Sequence, residues 1–73
     1  MKYNLYQKVK ISLDSDYRKQ GIDKYGIQME GIIIELEWSL PYQYKVKWSD
    51  GIIYNYRYKD LLPYNTEPNY EIY

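Results

Sequence analysis

Aromatic side chains are the residues of this chain whose type is best suited to binding chemistry. Twelve tyrosines and two tryptophans occur in a sequence without phenylalanine. A buried tyrosine needs a partner for its hydroxyl, whereas an exposed tyrosine offers a large contact area at low entropic cost. The choice of tyrosine over phenylalanine therefore favours a binding surface. An AT-rich genome would produce the same bias, and the sequence leaves both explanations open.

The residue types that most enzymes need are missing. Because the sequence has no cysteine and no histidine, thiol nucleophiles, imidazole bases and zinc knuckles are excluded. No glycine-rich phosphate loop and no carboxylate pair suited to acid–base work can be found. Asp14 and Asp16 have the i, i+2 spacing of a calcium loop, but the bidentate glutamate of such a loop does not follow. We expect no catalysis, no cofactor and no metal site.

The length and charge of the chain limit its class. Its 73 residues allow one small domain, 1–73. Ten basic and ten acidic residues give a formal net charge of zero, without the cationic excess of a dedicated nucleic-acid binder. No apolar run approaches the roughly 20 residues of a membrane span, and the N-terminus lacks the apolar core of a signal peptide. We expect a soluble, cytoplasmic protein that does not bind a membrane.

Alternating hydrophobic and polar residues run along most of the chain, and isoleucine, valine, tyrosine and tryptophan favour strands. The pattern predicts an all-β fold with strands at 8–13, 27–38, 42–48 and 52–58. In the first strand, Val9, Ile11 and Leu13 are expected to face inward. Residues 14–26 have no period, which predicts a long first loop. The apolar residues of the second strand lie at odd positions before Gly31 and at even positions after it, so we expect a bulge or bend at Gly31.

The turns between the later strands follow from the side-chain pattern. A three-residue loop at 49–51, with Gly51 in the left-handed position of a G1 bulge, sorts apolar and polar residues onto opposite faces. It pairs Trp48 with Ile52 and Tyr44 with Tyr56. A similar loop at 39–41 pairs Leu36 with Tyr44, Ile34 with Val46 and Ile32 with Trp48. We also expect a single 3₁₀ turn within 59–63 and a short last strand near 70–73.

A recognisable pattern consists of the runs YKVKWSDG at 44–51, YR at 56–57 and DLLP at 60–63. It resembles SH3-like small β-barrels, most closely the Mind-bomb-type and Tudor-like group. The resemblance implies a single five-stranded barrel with a long first loop and a 3₁₀ turn before the last strand. It also implies a module that binds peptides, methylated side chains or nucleic acid.

Three groups of residues are candidate binding sites. The first is a predicted aromatic cluster, whose rings either bind cations and bases or simply cap the core. The second is part of the first loop, which is either functional or only solvated. The third is a cationic face, which cross-strand pairing of Lys45 with Glu35 would neutralise. The three groups are Trp38, Tyr42, Tyr44, Tyr56 and Tyr58; Tyr17, Arg18 and Tyr25; and Lys45, Lys47 and Arg57.

These candidates favour a non-catalytic protein-binding module. In its most concrete form it is a phage- or mobile-element-encoded inhibitor that covers a surface of a host replication, transcription or defence protein. The alternative is a small barrel that binds nucleic acid or nucleotides by stacking bases beside the cationic face. A homodimer formed through exposed tyrosines and unpaired edge strands is a third expected interaction. Residues 64–73 form either the domain's own last strand or an arm that adds a strand to a partner.

Overall fold

A computed structural model describes residues 3–39 and 41–65 of the chain. Five antiparallel strands form one sheet in the order β4-β3-β2-β1-β5. The strands are β1 (Lys8–Ile11), β2 (Gly31–Leu36), β3 (Tyr44–Trp48), β4 (Ile53–Tyr56) and β5 (Leu61–Pro63). Two 3₁₀ turns, Arg18–Gly21 and Tyr58–Asp60, are the only helical segments in the described residues. The predicted all-β class is therefore confirmed.

The sheet is open in the described part of the chain. Strands β4 and β5 lie at its two edges and do not pair with each other. The last strand is β5, which pairs with β1 immediately after the second 3₁₀ turn. The expected 3₁₀ turn thus lies slightly earlier than predicted, and Leu61 to Pro63 are extended. The last strand predicted near 70–73 lies outside the described residues.

The β3–β4 hairpin has the predicted register. Tyr44 faces Tyr56 and Val46 faces Tyr54 across the two strands. The N–H of Trp48 donates to the carbonyl of Ile52 at 2.9 Å. Gly51 adopts a φ of +90°, which the left-handed position of this turn requires.

The phase change of β2 lies further along the strand than Gly31. The register shifts between Ile33 and Glu35, so the predicted bend at Gly31 was wrong. Beyond the shift, the predicted pairs Leu36–Tyr44 and Glu35–Lys45 are confirmed. Before it, the pairs differ by one residue, because Val46 faces Ile33 instead of Ile34 and Trp48 faces Gly31 instead of Ile32.

The indole of Trp48 explains why the inward-facing residue 31 is a glycine. A Cβ at position 31 would lie 2.6 Å from Cε3 and Cζ3 of Trp48 and 2.6 Å from Cγ1 of Val46, so a methyl group fits only if these side chains shift. A Cβ at Gly21 would lie 3.1 Å from Cζ2 of the same ring and 2.6 Å from Cβ of Ile11. The ring therefore occupies space that two glycines leave empty.

The core lies on the inner face of the sheet. Its apolar members are Tyr3, Val9, Ile11, Met29, Ile33, Tyr44, Val46, Trp48, Tyr56 and Leu61. Strand β1 ends at Ile11, so the inward orientation predicted for Leu13 was wrong, and Leu13 is 56% exposed. The chain turns just after Ile11, where the N–H of Asp14 donates to the Ser12 hydroxyl and the N–H of Ser15 donates to the Ser12 carbonyl, both at 3.1 Å. No helix in the described residues is long and apolar enough to cross a membrane.

We predict that Gly31→Ala lowers the free energy of unfolding by about 2 kcal/mol, since the new methyl group overpacks against the Trp48 ring. Urea denaturation followed by tryptophan fluorescence measures the change. Ser39→Ala, at an exposed position, is the control and should stay within about 0.5 kcal/mol. Equal effects of the two substitutions would show that the ring has room to move.

Candidate functional site

Four aromatic rings form a connected patch beside the end of the β3–β4 hairpin. Tyr44 packs edge-on against Trp38, with ring centroids 6.3 Å apart, and against Tyr3, with centroids 5.4 Å apart. Tyr3 in turn lies 5.1 Å from Tyr58 at a tilt of 36°. We call these residues, Tyr3, Trp38, Tyr44 and Tyr58, the terminal aromatic patch.

The terminal aromatic patch has a buried base and an exposed rim. Tyr44 is fully buried and Tyr3 is 6% exposed, whereas Trp38 is 58% and Tyr58 50% exposed. The Tyr3 hydroxyl donates to the carbonyl of Leu61 at 2.9 Å, so the base is tied to β5. Burial, together with the neighbouring Tyr58 and Tyr44, raises the pKa of Tyr3 to about 12. The exposed rings therefore rest on a neutral, hydrogen-bonded support.

A second cluster surrounds the guanidinium of Arg57. The hydroxyls of Tyr17 and Tyr42 share a hydrogen bond of 2.8 Å, which raises the pKa of Tyr17. The guanidinium carbon lies 5.4 Å from the ring centroid of Tyr17 and 5.3 Å from that of Tyr42, within cation–π range. Tyr42 therefore joins the first loop to Arg57, and we call Tyr17, Tyr42, Arg57 and Asp60 the Arg57 cluster.

Asp60 holds this cluster in place. Its carboxylate accepts from Nε and Nη2 of Arg57 at 2.9 and 3.0 Å, and from the Ser15 hydroxyl at 2.8 Å. The backbone N–H of Arg57 donates to the same carboxylate at 3.0 Å. Burial acts to raise the pKa of Asp60, but the hydrogen bonds from Arg57 and Ser15 and the Arg57 charge outweigh it, so the pKa falls below its ordinary value. The hydrogen bond to Asp60 raises the pKa of Arg57.

Tyr44 and Tyr56 of the predicted aromatic cluster are core residues. Both are completely buried. The Tyr56 hydroxyl accepts from Nε1 of Trp48 at 2.9 Å and donates to Oε1 of Gln20 at 2.9 Å. Burial raises the pKa of Tyr56 to about 12. Because neither ring reaches solvent, neither can contact a partner while the sheet keeps this form, and only the rest of the predicted cluster has exposed surface.

The predicted loop residues have separate environments. Tyr17 is half-buried in the Arg57 cluster, and Arg18 donates from Nη1 to the carbonyl of Ser15 at 3.2 Å. Tyr25 is 76% exposed, with Nζ of Lys24 5.2 Å from its ring centroid. The structure shows no contact that joins Tyr25 to the other two, so these residues do not form one described site.

The predicted cationic face is largely neutralised. Nζ of Lys45 lies 3.2 Å from a carboxylate oxygen of Glu35, and Nε of Arg57 lies 2.9 Å from a carboxylate oxygen of Asp60. The neighbouring Glu35 carboxylate raises the pKa of Glu37 above its ordinary value. Among the described residues only Lys47 of this set has no ion pair. One unpaired lysine is a weak basis for phosphate binding.

A polar depression of about 260 Å³ lies beside the Arg57 cluster, and Ser15, Asp16, Arg57 and Asp60 contribute to its walls. No buried side-chain nitrogen or oxygen in the described residues lacks a hydrogen-bond partner. No group of histidine, cysteine or acidic residues in the same part of the chain could hold a metal ion. The depression therefore contains no buried polar group that lacks a hydrogen-bond partner among the described residues.

Sequence reasoning missed Tyr3, Asp60 and Tyr6. The i, i+3 spacing of Arg57 and Asp60 across a turn was a usable signal for their ion pair. Tyr3 precedes the first predicted strand and carried no periodic signal. Tyr6 is 70% exposed and has a φ of +69°, a conformation that side chains other than glycine rarely adopt.

The chain is therefore a small all-β protein built on one antiparallel sheet. The NMR structure of the Bacillus subtilis protein YorP has a similar fold, with a TM-score of 0.66 and 24% sequence identity over 96% of this chain and 79% of that chain. A likeness at this identity shows the fold alone. No family model matches the chain, and no curated protein matches it.

We predict that Asp60→Asn lowers the free energy of unfolding at neutral pH by about 3 kcal/mol, because it leaves the Arg57 charge without its partner. Because the folded pKa of Asp60 lies below the unfolded value of about 3.9, its stabilisation is present above that value and is lost as the pH falls through the folded pKa. Urea denaturation between neutral and strongly acidic pH measures both effects.

The control for this prediction is Asp16→Asn. The Asp16 side chain is 87% exposed and its carboxylate lies 3.9 Å from Nη2 of Arg57, so its loss should cost less than about 1 kcal/mol. The loss of stability in acid should be shallower in Asp60→Asn than in the parent chain. Identical acid profiles for those two proteins would contradict the assignment.

Proposed function

We propose that this chain is a non-catalytic protein-binding module whose contact surface is the exposed rim of the terminal aromatic patch, formed by Trp38 and Tyr58. The observation that carries the proposal is the exposure of Trp38 and Tyr58, at 58% and 50%, above the buried rings of Tyr44 and Tyr3. Two large exposed rings on a packed support are what an interface anchor requires. The arrangement gives each ring little conformational freedom to lose on binding.

The chemistry of the patch suits a protein partner. Tryptophan and tyrosine are enriched among the residues that dominate interface energies, and they act best in the centre of a desolvated contact. The formal net charge of zero gives no long-range attraction to nucleic acid. Because Lys45 and Arg57 already have carboxylate partners, we favour a protein over the nucleic-acid alternative.

The finer form of the proposal is an SH3-like small barrel that inhibits a host protein. The strand order, the long first loop and the 3₁₀ turn before β5 support relating the open sheet to such barrels. In this proposal the protein comes from a phage or mobile element and acts in the host cytoplasm. It covers a surface of a replication, transcription or defence protein.

We predict that Trp38→Ser and Tyr58→Ser each weaken partner binding at least tenfold, since alanine-type truncation of a central aromatic anchor costs about 2 kcal/mol or more. The measurement is affinity capture from lysates of a low-GC bacterium with the tagged folded chain, with and without nuclease and at low and moderate salt. Both variants should keep the parent's circular dichroism, because the removed rings are largely exposed.

Tyr25→Ser is the matched control, because Tyr25 is also highly exposed but makes no contact with the terminal aromatic patch in the described structure. A discrete protein retained by the parent and by Tyr25→Ser, but lost from both patch variants, would support the proposal. Retention by both patch variants would contradict it. Recovery only of nucleic acid that nuclease or salt removes would favour the alternative.

A further inference from the structure

Strand β4 presents an apolar edge. In the described residues β4 pairs only with β3, so its other side is an edge of the sheet. Ile52, Ile53 and Tyr54 are 49%, 46% and 37% exposed. Neither a charge nor a proline occurs between 52 and 56. Proteins usually protect such edges with lysine, proline or a very short strand, because an exposed strand pairs readily with another chain.

The opposite edge of the same sheet has the protection that β4 lacks. Strand β5 has three residues and ends at Pro63, which cannot donate a ladder hydrogen bond. The two edges therefore differ within one molecule. Among the described residues, a proline protects the β5 edge, whereas no residue of that kind protects β4.

The hydrogen-bond phase of β4 shows which backbone groups point outward. The N–H of Trp48 donates to the carbonyl of Ile52, so Ile52 belongs to a hydrogen-bonded pair of the hairpin. These pairs occur at every second residue in an antiparallel ladder. Tyr54 and Tyr56 therefore also direct their N–H and C=O groups toward β3, whereas Ile53 and Asn55 direct theirs toward the edge.

We propose that a second copy of the chain pairs with this edge, antiparallel, about a two-fold axis at Tyr54. Ile53 then exchanges both backbone hydrogen bonds with the partner's Asn55, and Asn55 does the same with the partner's Ile53. Tyr54 faces the partner's Tyr54 in the close, non-hydrogen-bonded position between these pairs. Each copy uses the same surface, so the assembly closes as a dimer.

A second copy fits this edge because of its charge pattern. A residue on a two-fold axis meets itself, so any charge at that position would repel its own copy. Here tyrosine meets tyrosine, which is a favourable cross-strand aromatic pair, and the flanking pairs join isoleucine to asparagine. The formal net charge of zero removes long-range repulsion between the copies. A foreign peptide or residues 66–73 of the same chain are the competing occupants.

Sedimentation equilibrium of the full chain over a concentration series tests the proposal. The apparent mass of the parent chain should rise with concentration from that of a monomer to that of a dimer. Asn55→Pro should weaken the dimer at least tenfold while the monomer keeps its circular dichroism, because the lost N–H points to the edge and not toward β3. A parent that is monomeric at every concentration, or an Asn55→Pro variant that folds and dimerises like the parent, would overturn the proposal.

Charges on the axis provide a second test that does not depend on proline. Tyr54→Lys and Tyr54→Glu should each be monomeric, and an equimolar mixture of the two should form a heterodimer, because only an axial residue meets itself. Ile53→Lys mixed with Ile53→Glu is the control and should show a much weaker rescue, since position 53 faces position 55 of the partner and meets the partner's position 53 only diagonally. Equal rescue in both mixtures, or none in the first, would contradict the register.

Amide hydrogen exchange distinguishes the occupants. In the parent dimer the amides of Ile53 and Asn55 should be protected, and dilution to the monomer should remove that protection while Tyr54 stays protected by β3. Protection of Ile53 and Asn55 that persists in the monomer and disappears when residues 66–73 are deleted would show that the chain's own terminus covers the edge. That result would exclude the second copy. These tests leave Trp38 and Tyr58 unchanged, so their outcome is independent of the proposed partner surface.

Discussion

The position of the Trp48 indole is the constraint on which the rest of the sheet depends. The ring lies where Gly21 and Gly31 leave space, and a methyl group at either position would be in close contact with it. Gly31 must therefore face inward opposite Trp48, which fixes the first half of β2. Leu36 must face Tyr44 further along the same pair of strands. One extra residue between these two positions is then unavoidable, and the register shift between Ile33 and Glu35 supplies it.

The same ring connects the sheet to the first loop. Its Nε1–H donates to Tyr56, whose hydroxyl donates to Gln20, next to Gly21. The Arg57–Asp60 pair adds a second connection, because Asp60 also accepts from Ser15 of that loop. A buried ion pair is weak support for stability by itself, since desolvation opposes it. Here the ion pair acts as a geometric constraint, because it holds the first loop and the second 3₁₀ turn in one relative arrangement.

Side-chain sorting predicted the β3–β4 hairpin because the pairs from Trp48–Ile52 to Tyr44–Tyr56 alternate between an aromatic or apolar pair on the inner face and a pair with a polar residue on the outer face. It failed at Gly31 because a glycine at a parity change has two physical meanings. It can relax the backbone or make room for a neighbouring ring, and only the tertiary structure shows which applies. The sequence also could not predict how deeply each ring is buried. Alternation gives the direction of Tyr44, Tyr56 and Tyr58 but not the distance of each ring from solvent. Alternation also groups Tyr42 with Trp38, whereas in the structure Tyr42 packs against Tyr17 and Arg57.

The two proposed surfaces differ in their position along β4. Tyr58 of the terminal aromatic patch follows the end of β4 at Tyr56, whereas the proposed axis passes through Tyr54. In an antiparallel dimer the two β4 strands run in opposite directions, so the two Tyr58 rings lie at opposite ends of the paired strands. Such a dimer would therefore present its patches apart from each other. It could occupy two copies of a partner, or two sites on one partner, and a second contact of this kind raises avidity without any new interaction type. A protein-binding module of the kind proposed, with two large exposed anchor rings in each patch, would gain from that arrangement, because the second contact forms within one complex.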